Sequence, residues 1–473
     1  MAIDYKLKLF NTLSKKKEDF VPIQTGKASM YLCGPTVYDR ATIGNFRTYI
    51  FGDILNRVLK YNDYDVKYVQ NITDVGHLTD DADQGEDKME KGSRKAGKSA
   101  REVAEEFTQL YFEDSAKLNI ERPTVSCKAT EHIKEQIEMI EELEKKGFTY
   151  KTSDGIYFDT SKQPDYGALA HLDKAGLQEG ARVGVNTEKR NITDFALWKF
   201  SPKDEQRHME WESPWGMGFP GWHIECSAMS IKYLGQPFDL HAGGMDLLPV
   251  HHTNEVAQNE AIYGHKTVNY WLHGGFILVD GKKMGKSLGN AYTLDDIAKE
   301  EFNNLVFRYL TFTAHYRQEL NFTWESLSQA GSALSKLYKI VGSFLNNKPD
   351  NTISDEWSSR FLEAVNDDLN IPKAIAVVWE MIRDKNTPET LKLSTLYKFD
   401  EILGLDIEKN AKNYAQLIAK IPESIKQIKE DRDIARQNKD WKKSDELRDE
   451  LESKGYEVED AQDGTKVLPK INL

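Results

Sequence analysis

The sequence contains no apolar run near the length of about 20 residues that a membrane-spanning helix requires, so contact with a membrane is not expected. Cysteine is scarce, with three residues in 473. An odd number of cysteines, far apart along the chain, excludes a disulfide framework. A secretory signal core is also lacking, because charged side chains interrupt the first ten residues. These absences predict a cytoplasmic protein.

A surplus of positive charge is likewise missing, since 63 lysines and arginines stand against 76 aspartates and glutamates, a net charge of −13. This balance disfavours non-specific coating of nucleic acid, which needs an excess of lysine and arginine. Basic residues are nevertheless concentrated at 88–101, directly after the acidic stretch 80–87. We interpret this segment as a solvated stretch of chain on the protein surface. The alternative is a loop that contacts phosphate.

A strand–helix–strand pattern is present near the start of the chain. Residues 28–33 and 65–69 have the character of short buried strands, and the apolar residues of 43–61 follow the period of a helix. Such a unit predicts a parallel sheet. Ligands bind at the carboxyl ends of the strands in these sheets, which is where Cys33 and Thr73 fall.

The rest of the chain predicts several domains, in keeping with about three or four for this length. Residues 148–220 have the character of an insertion, after which the parallel pattern resumes with a strand at 238–242, a helix at 251–263 and a strand near 275–279. The chain is helical after 294 and ends in a helix and a hairpin on an Asp-Gly turn. We therefore predict an α/β fold, namely a Rossmann-like parallel-sheet catalytic domain with an inserted connective domain, followed by an α-helical bundle and a small α+β C-terminal domain. The predicted boundaries are 1–125 and 221–305 for the two halves of the catalytic domain, 126–220 for the insertion, 306–400 for the bundle and 401–473 for the last domain.

Cys33, Cys226 and the segment His251–Glu255 form a candidate metal site. His251 and His252 precede Glu255 by four and three residues, so either shares its helix face, and spacing alone does not choose between them. Two thiolates, an imidazole and a carboxylate suit zinc. The alternative is that the cysteines are small buried apolar residues and the histidine pair only begins a helix.

Two segments indicate phosphate chemistry. Residues 34–36 and 42–45 place small, hydroxyl and amide side chains at a predicted helix start, where free N–H groups and the helix dipole favour an anion. Residues 280–290 form a basic, glycine-punctuated loop that could bring Lys286 onto charge developing in a transition state. Each alone is also compatible with an ordinary helix cap and an ordinary surface loop.

Together these segments resemble the class I aminoacyl-tRNA synthetases, whose patterns are His-Ile-Gly-His and Lys-Met-Ser-Lys-Ser. The chain has Thr-Ile-Gly-Asn at 42–45 and Lys-Met-Gly-Lys-Ser at 283–287. Four further segments are similar to the cysteinyl-tRNA synthetase family, namely Tyr31–Asp39, Asn71–Asp74, Gly221–Met229 and His251–Glu255. The likeness runs over nearly the whole chain, and the C-terminal parts resemble that family's helical bundle and anticodon-binding domain.

The resemblance implies activation of L-cysteine with ATP and Mg²⁺, followed by transfer of the cysteinyl group to the 3′ end of tRNA(Cys). It implies that one Zn²⁺ per chain, held by Cys33, Cys226, His251 and Glu255, selects the substrate thiolate. The implied cysteine-binding residues are Cys33, Thr73, Trp222 and His223. The implied ATP-binding residues are Gly34, Thr36, Thr42, Gly44, Asn45 and Lys286. The implied catalytic residues are Lys286, Lys283, Thr42 and Asn45. Cys127 matches no ligand position, and we expect it to be structural.

Three positions depart from the family patterns. Asn45 stands in place of a histidine but keeps an N–H donor, and Gly285 stands in place of serine but leaves Lys283 and Lys286 intact. Thr42 is the larger change, because a hydroxyl is shorter than an imidazole and carries no positive charge. One phosphate contact is then weakened or made through water, and we expect slower formation of the adenylate, not its loss.

Two other functions are compatible with parts of these patterns. A ligase that joins cysteine to an amino sugar would not need the long region after about residue 305, and a non-catalytic synthetase-like binding protein would not need Lys286 or a full metal set. In the last domain, readers of unpaired bases use aromatic stacking. At Trp441, however, we favour a core position, which is typical of a tryptophan at a helix start. We expect a monomer in preference to a dimer.

Overall fold

The computed structural model describes residues 6–75, 88–171, 187–202, 207, 209–285, 288–345, 348–350, 352–461 and 464–469. The chain divides into two compact units. The first comprises residues 1–294, 311–323 and 362–374, and the second comprises residues 295–310, 324–361 and 375–473. The finer division into five segments remains a prediction.

Strands dominate the first unit. In chain order they are β1 (Lys8–Asn11), β2 (Lys16–Asp19), β3 (Lys27–Leu32), β4 (Asp65–Ile72), β5 (Val125–Lys128), β6 (Thr149–Lys151), β7 (Gly155–Phe158), β8 (Phe195–Phe200), β9 (Gly218–Pro220), β10 (Phe238–Gly244), β11 (Val268–Gly274), β12 (Ile277–Val279), β13 (Lys282–Lys283) and β14 (Leu320–Phe322). Its helices are α1 (Ile43–Tyr61), α2 (Lys88–Ala96), α3 (Ala100–Lys117), α4 (Ile133–Lys145), α5 (Trp222–Leu234) and α6 (Thr253–Tyr263).

A five-stranded parallel sheet in the order β11-β10-β3-β4-β5 carries the core of this unit. Helix α1 connects β3 to β4 and packs closely on the sheet. A Cβ placed on Gly52 of α1 would lie 2.4 Å from a methyl carbon of Leu32, so glycine permits this approach. The predicted strand–helix–strand unit and the parallel sheet are therefore confirmed.

The predicted insertion contains an antiparallel sheet in the order β6-β7-β8-β9. Its strands are short and mostly buried, and the aromatic side chains of Phe158 and Phe195 stack with ring centroids 5.0 Å apart. Two smaller sheets complete the unit, the pair β1-β2 and the three strands β13-β12-β14. The α/β class predicted from the sequence is confirmed.

The second unit is mainly helical. The helices from residue 294 onward are α7 (Leu294–Lys299), α8 (Asn304–Thr311), α9 (Trp324–Phe344), α10 (Asp355–Asn366), α11 (Ile371–Arg383), α12 (Glu389–Leu403), α13 (Ile407–Ala419), α14 (Glu423–Gln437) and α15 (Trp441–Ser453). A hairpin of β15 (Tyr456–Ala461) and β16 (Gly464–Pro469) ends the described chain. Ile425, Leu451 and Val467 form the small core of this last part.

Several local elements were missed or misplaced in the sequence analysis. Strand β11 was missed, because Val268–Gly274 mixes apolar residues with Asn269 and His273 and shows no clean alternation. The helices at 88–96 and after Ser99, which caps α3, were not predicted. The C-terminal hairpin was predicted with Gly464 in its Asp-Gly turn, but Gly464 pairs with Ala461 inside the hairpin. The two residues between them lie outside the described part.

Two further predictions concern single residues and membrane contact. Cys127 is buried in β5, with its thiol 3.7 Å from the carbonyl oxygen of Gln70, as expected of a structural residue. Trp441 has 58% of its surface exposed, so the predicted core position is wrong. Position at a helix start does not fix which face a side chain takes. Within the described residues, no helix combines the length and the apolar character that crossing a bilayer demands.

Candidate active site and metal centre

The site lies where the connections of the parallel sheet diverge. From β3 the chain moves outward to β4 and β5, whereas β10 lies on the other side of β3 and leads to β11. The carboxyl ends of β3 and β10 are therefore adjacent, and the N–H of Cys33 donates to the carbonyl oxygen of Ala242 at 3.1 Å. A crevice at such a point is the general ligand-binding position of these sheets.

The four predicted metal ligands meet at this point. One ligand atom from each of Cys33, Cys226, His251 and Glu255 lies within 4.8 Å of the others, and all four residues are buried. Cys33 follows β3, and Cys226 lies on α5. One turn of π-helix at Leu248–His252 precedes α6 and carries His251, whose Nε2 lies 3.1 Å from Glu255 Oε1.

A second group of possible ligands overlaps the first. Cys33 and Glu255 also lie within 4.8 Å of His241 and His252. The Nε2 atom of His252 is 3.2 Å from Cys33 Sγ, and that of His241 is 3.5 Å from Glu255 Oε1. The two histidines that the sequence could not separate therefore belong to different ligand groups, which share Cys33 and Glu255.

Burial disfavours the charged forms of the groups in this pocket, a cost that a bound cation would relieve. Burial raises the pKa of Glu255 well above its usual range and also raises the pKa of the Cys33 thiol. Burial lowers the pKa of His241 and His252, so these rings are held neutral, the form in which imidazole binds metals. Glu255 Oε2 is buried without a hydrogen-bond partner among the described residues. Buried carboxylates normally have such a partner or a metal, so the donor set fits zinc.

The predicted cysteine-binding residues surround these ligands. The ring of Trp222 lies 4.6 Å from that of His251, measured between centroids, and His223 Nδ1 lies 3.0 Å from His251 Nδ1. Thr73 follows β4, and its hydroxyl oxygen lies 3.4 Å from Glu225 Oε2. The structure thus brings Thr73, Trp222 and His223 to the same end of the sheet as the metal ligands.

The segment after β3 runs beside Thr73. The N–H of Thr73 donates to the carbonyl oxygen of Pro35 at 2.9 Å, and Thr36 pairs with Thr73 as an isolated parallel bridge. A Cβ on Gly34 would lie 1.8 Å from the carbonyl oxygen of Asn71, so no other residue fits there. Gly34 and Thr36 therefore line the carboxyl edge of the sheet, and their role in binding ATP stays a prediction.

The two phosphate-binding segments are in contact. A Cβ on Gly44 would lie 3.2 Å from the sulfur of Met284, which places the methionine of the basic loop directly over the start of α1. The backbone of Thr42 bridges Thr293, and the N–H of Ile43 donates to the carbonyl oxygen of Tyr292 at 2.9 Å. Segments separated by some 240 residues, as their numbers show, thus form one surface.

Asn290, the last residue of the basic loop, is hydrogen-bonded to two residues in the middle of that loop. Its Oδ1 accepts from the N–H of Gly285 at 2.9 Å, and its Nδ2 donates to the carbonyl oxygen of Lys283 at 3.2 Å. Lys283 is exposed on β13. Lys286, the other predicted catalytic lysine, lies outside the described residues.

A row of polar groups that begins among buried histidines next to the candidate metal centre was not predicted. His252 Nδ1 lies 2.8 Å from His273 Nε2, and His273 Nδ1 lies 2.8 Å from the hydroxyl oxygen of Thr12. His241 completes the second ligand group from inside β10. The available signal was a histidine within each of two largely apolar segments, a position where a buried polar side chain needs a partner.

Comparison with known proteins agrees with this geometry. Residues 19–332 match the family described as tRNA synthetases class I (C) catalytic domain, and residues 360–408 match the DALR domain. The chain is 50% identical to Cysteine–tRNA ligase 1 of Burkholderia lata, over 98% of this chain and 97% of that protein. It is 44% identical to the cysteine–tRNA ligase of Treponema denticola, over 96% and 98% of the two chains.

Solved structures share the fold at low sequence identity. A leucyl enzyme from Agrobacterium radiobacter K84, described as a LeuRS–tRNA–LeuAMS ternary complex, superposes with a TM-score of 0.58 at 11% identity and covers 84% of this chain and 85% of its own. The Mycobacterium tuberculosis methionyl-tRNA synthetase bound to methionyl-adenylate gives a TM-score of 0.55 at 14% identity, over 84% and 93% of the two chains.

Proposed function

The chain belongs to the cysteine–tRNA ligase family of class I aminoacyl-tRNA synthetases, and we propose that it activates cysteine with ATP and esterifies tRNA(Cys) with the product. The observation that carries this proposal is the convergence of three features at one sheet edge. These are the four-ligand group, the start of α1 and the basic loop. A binding protein without catalysis would not need this convergence.

Cys33, Cys226, His251 and Glu255 would hold one Zn²⁺ per chain, which supplies a soft Lewis acid that prefers a thiolate to a hydroxyl. Cysteine and serine differ by one atom, so a pocket that selects by shape alone separates them poorly. Thr73, Trp222 and His223 line the same pocket and orient the amino acid. Glu255 provides a hard carboxylate ligand among softer ones, and we infer that its contact lengthens when the substrate sulfur binds.

ATP would lie along Gly34, Thr36 and the start of α1, with Mg²⁺ as counterion. The cysteine carboxylate attacks the α-phosphorus, one phosphoanhydride bond breaks, and pyrophosphate leaves. Lys283 and Lys286 on the basic loop stabilise the negative charge that develops on the phosphates. A ribose hydroxyl at the 3′ end of tRNA then attacks the cysteinyl carbonyl, and AMP leaves.

The last helices would contact the tRNA anticodon. Trp441 is exposed at the start of α15, and the guanidinium carbon of Arg436 lies 6.0 Å from the centroid of its ring. An exposed aromatic ring beside a cation offers a stacking surface for an unpaired base. We propose a monomer that acts in the cytoplasm.

Cysteine-dependent exchange of labelled pyrophosphate into ATP, followed by charging of tRNA(Cys), tests the activity directly. We expect exchange with cysteine, little exchange with serine, and an acid-stable increase in tRNA-bound cysteine. Exchange without tRNA charging, together with transfer to an amino sugar, would instead support the alternative ligase. Absence of exchange in metal-replete protein would contradict the proposal.

A further inference from the structure

Thr42 and Asn45, the two departures from the first family pattern, are bonded to each other. The hydroxyl oxygen of Thr42 accepts from the backbone N–H of Asn45 at 3.4 Å. The hydroxyl and the backbone N–H of Thr42 both donate to Asn45 Oδ1, each at 2.9 Å. This reciprocal arrangement is a capping box at the start of α1.

The arrangement fixes the orientation of the Asn45 side-chain amide. A backbone N–H can only donate, so the amide atom that faces Thr42 is the carbonyl oxygen Oδ1. Nδ2 therefore points away from the cap, and no described residue accepts a hydrogen bond from it. Asn45 is exposed, which leaves these two N–H donors open to a ligand.

The same bonds occupy most of the backbone donors at this helix end. The N–H of Ile43 donates to the carbonyl oxygen of Tyr292, and the N–H of Asn45 donates to the hydroxyl of Thr42. Of the first three N–H groups of α1, only that of Gly44 has no partner among the described residues. The helix start thus presents two hydrogen-bond donors to a ligand, the backbone N–H of Gly44 and the side-chain Nδ2 of Asn45.

We infer that Thr42 is a positioning residue that acts through Asn45, holding its amide with Nδ2 directed at the phosphates of ATP. This inference rests on the proposed function and differs from the expectation that the Thr42 hydroxyl contacts phosphate itself. That hydroxyl donates its single proton to Asn45 Oδ1 within the cap, so it has no proton left to donate to phosphate. Thr42 and Asn45 therefore act as one unit, so that the effects of changing them are not additive.

The first test separates the donor role of Asn45 from its role in the cap. In Asn45→Asp both oxygens accept, so the bonds from Thr42 persist, but the outward N–H₂ becomes an oxygen that repels phosphate. We expect the KM for ATP in cysteine-dependent pyrophosphate exchange to rise about tenfold or more, with the unfolding temperature unchanged. An unchanged KM for ATP would overturn the inference.

The second test asks whether Thr42 acts through Asn45. We expect Thr42→Val to raise the KM for ATP about fivefold and Thr42→Ser, which keeps the hydroxyl, to stay within about twofold of wild type. In an Asn45→Ala background, Thr42→Val should add nothing further. If the two defects multiply, Thr42 contacts ATP independently and the inference fails.

A matched control is the second capping box, at the start of α3. Ser99 accepts from the N–H of Glu102, and Glu102 Oε2 accepts from the N–H and hydroxyl of Ser99. Ser99→Ala removes an equivalent cap, so we expect it to lower the unfolding temperature about as much as Thr42→Val does. The KM for ATP should be unchanged in Ser99→Ala. A KM for ATP that rises equally in Ser99→Ala and Thr42→Val would overturn the positioning role. Wild-type protein without exchange would instead refute the proposed function.

Discussion

Met284 of the basic loop lies directly against Gly44 of helix α1, so close that a Cβ on Gly44 would come within 3.2 Å of the methionine sulfur. This contact joins two segments that the sequence could only suggest as separate phosphate sites. It sets the position of the loop relative to the helix start, where transition-state charge would be stabilised.

We predict that Gly44→Val displaces Met284 and with it the basic loop. Because small misplacements of catalytic groups have large effects on rate, kcat/KM for ATP should fall about tenfold to hundredfold. Combining it with Met284→Ala makes room for the new side chain and should restore part of the loss. Pyrophosphate exchange measures both, and a double variant no better than Gly44→Val would show that this contact does not position the loop.

A second prediction concerns Cys226. Serine has nearly the same size as cysteine but offers an oxygen that binds zinc less well than a thiolate. We expect Cys226→Ser to lower zinc affinity about tenfold or more and to reduce the preference for cysteine over serine in pyrophosphate exchange.

Cys127→Ser is the matched control, because it removes another buried thiol of the same unit that belongs to neither ligand group. Metal content by elemental mass spectrometry should stay near that of wild type in this variant. Equal zinc loss in the two variants would mean that loss of a buried thiol, and not of a ligand, controls metal binding.

Much of the central fold could be predicted because its signals are local. Helix α1 was predicted at its observed bounds, since its apolar residues follow a helical period over 19 residues. The metal ligands came from residue type and from the resemblance, and residues from β3, α5 and the turn before α6 do meet. The strand end at Cys33 was visible because Gly34-Pro35 follows it.

The unpredicted features depend on partners far away in the chain. His241 and His273 lie on strands, whereas their partners Glu255 and His252 lie on α6 and in the turn before it. No spacing along one strand reveals these contacts. The bond between Thr42 and Asn45 is local, but which side-chain atoms face each other is decided by the backbone geometry of the cap. The predicted core position of Trp441 was wrong because the burial of this side chain depends on how α14 and α15 pack.

A third prediction separates the two overlapping ligand groups. Since the set with Cys226 contains two thiolates, which zinc favours, His251 should be the ligand and His252 a neighbour. We expect His251→Ala to lose most bound zinc and His252→Ala to retain it in its folded fraction. Elemental analysis after gel filtration distinguishes the two, and loss of zinc only in His252→Ala would assign the metal to the His241 group.

A fourth prediction concerns Asp400 in the second unit. Its two carboxylate oxygens accept from the N–H groups of Leu405 and Ile407 at 2.7 and 2.8 Å. Burial nevertheless raises its pKa from 3.8 to about 6. The folded state therefore binds a proton more readily than the unfolded state, and stability falls as pH rises between these values.

A difference of about two units corresponds to roughly 3 kcal/mol of unfolding free energy, present below pH 4 and lost above pH 6. Asn cannot titrate, so Asp400→Asn should lack this part of the pH dependence while keeping one of the two acceptors. Denaturant unfolding at pH 4.5 and 7.5 should show the variant gaining stability relative to wild type at the higher pH. If the difference between variant and wild type is the same at both values, Asp400 does not titrate in this range, and its bonds to Leu405 and Ile407 outweigh the effect of burial.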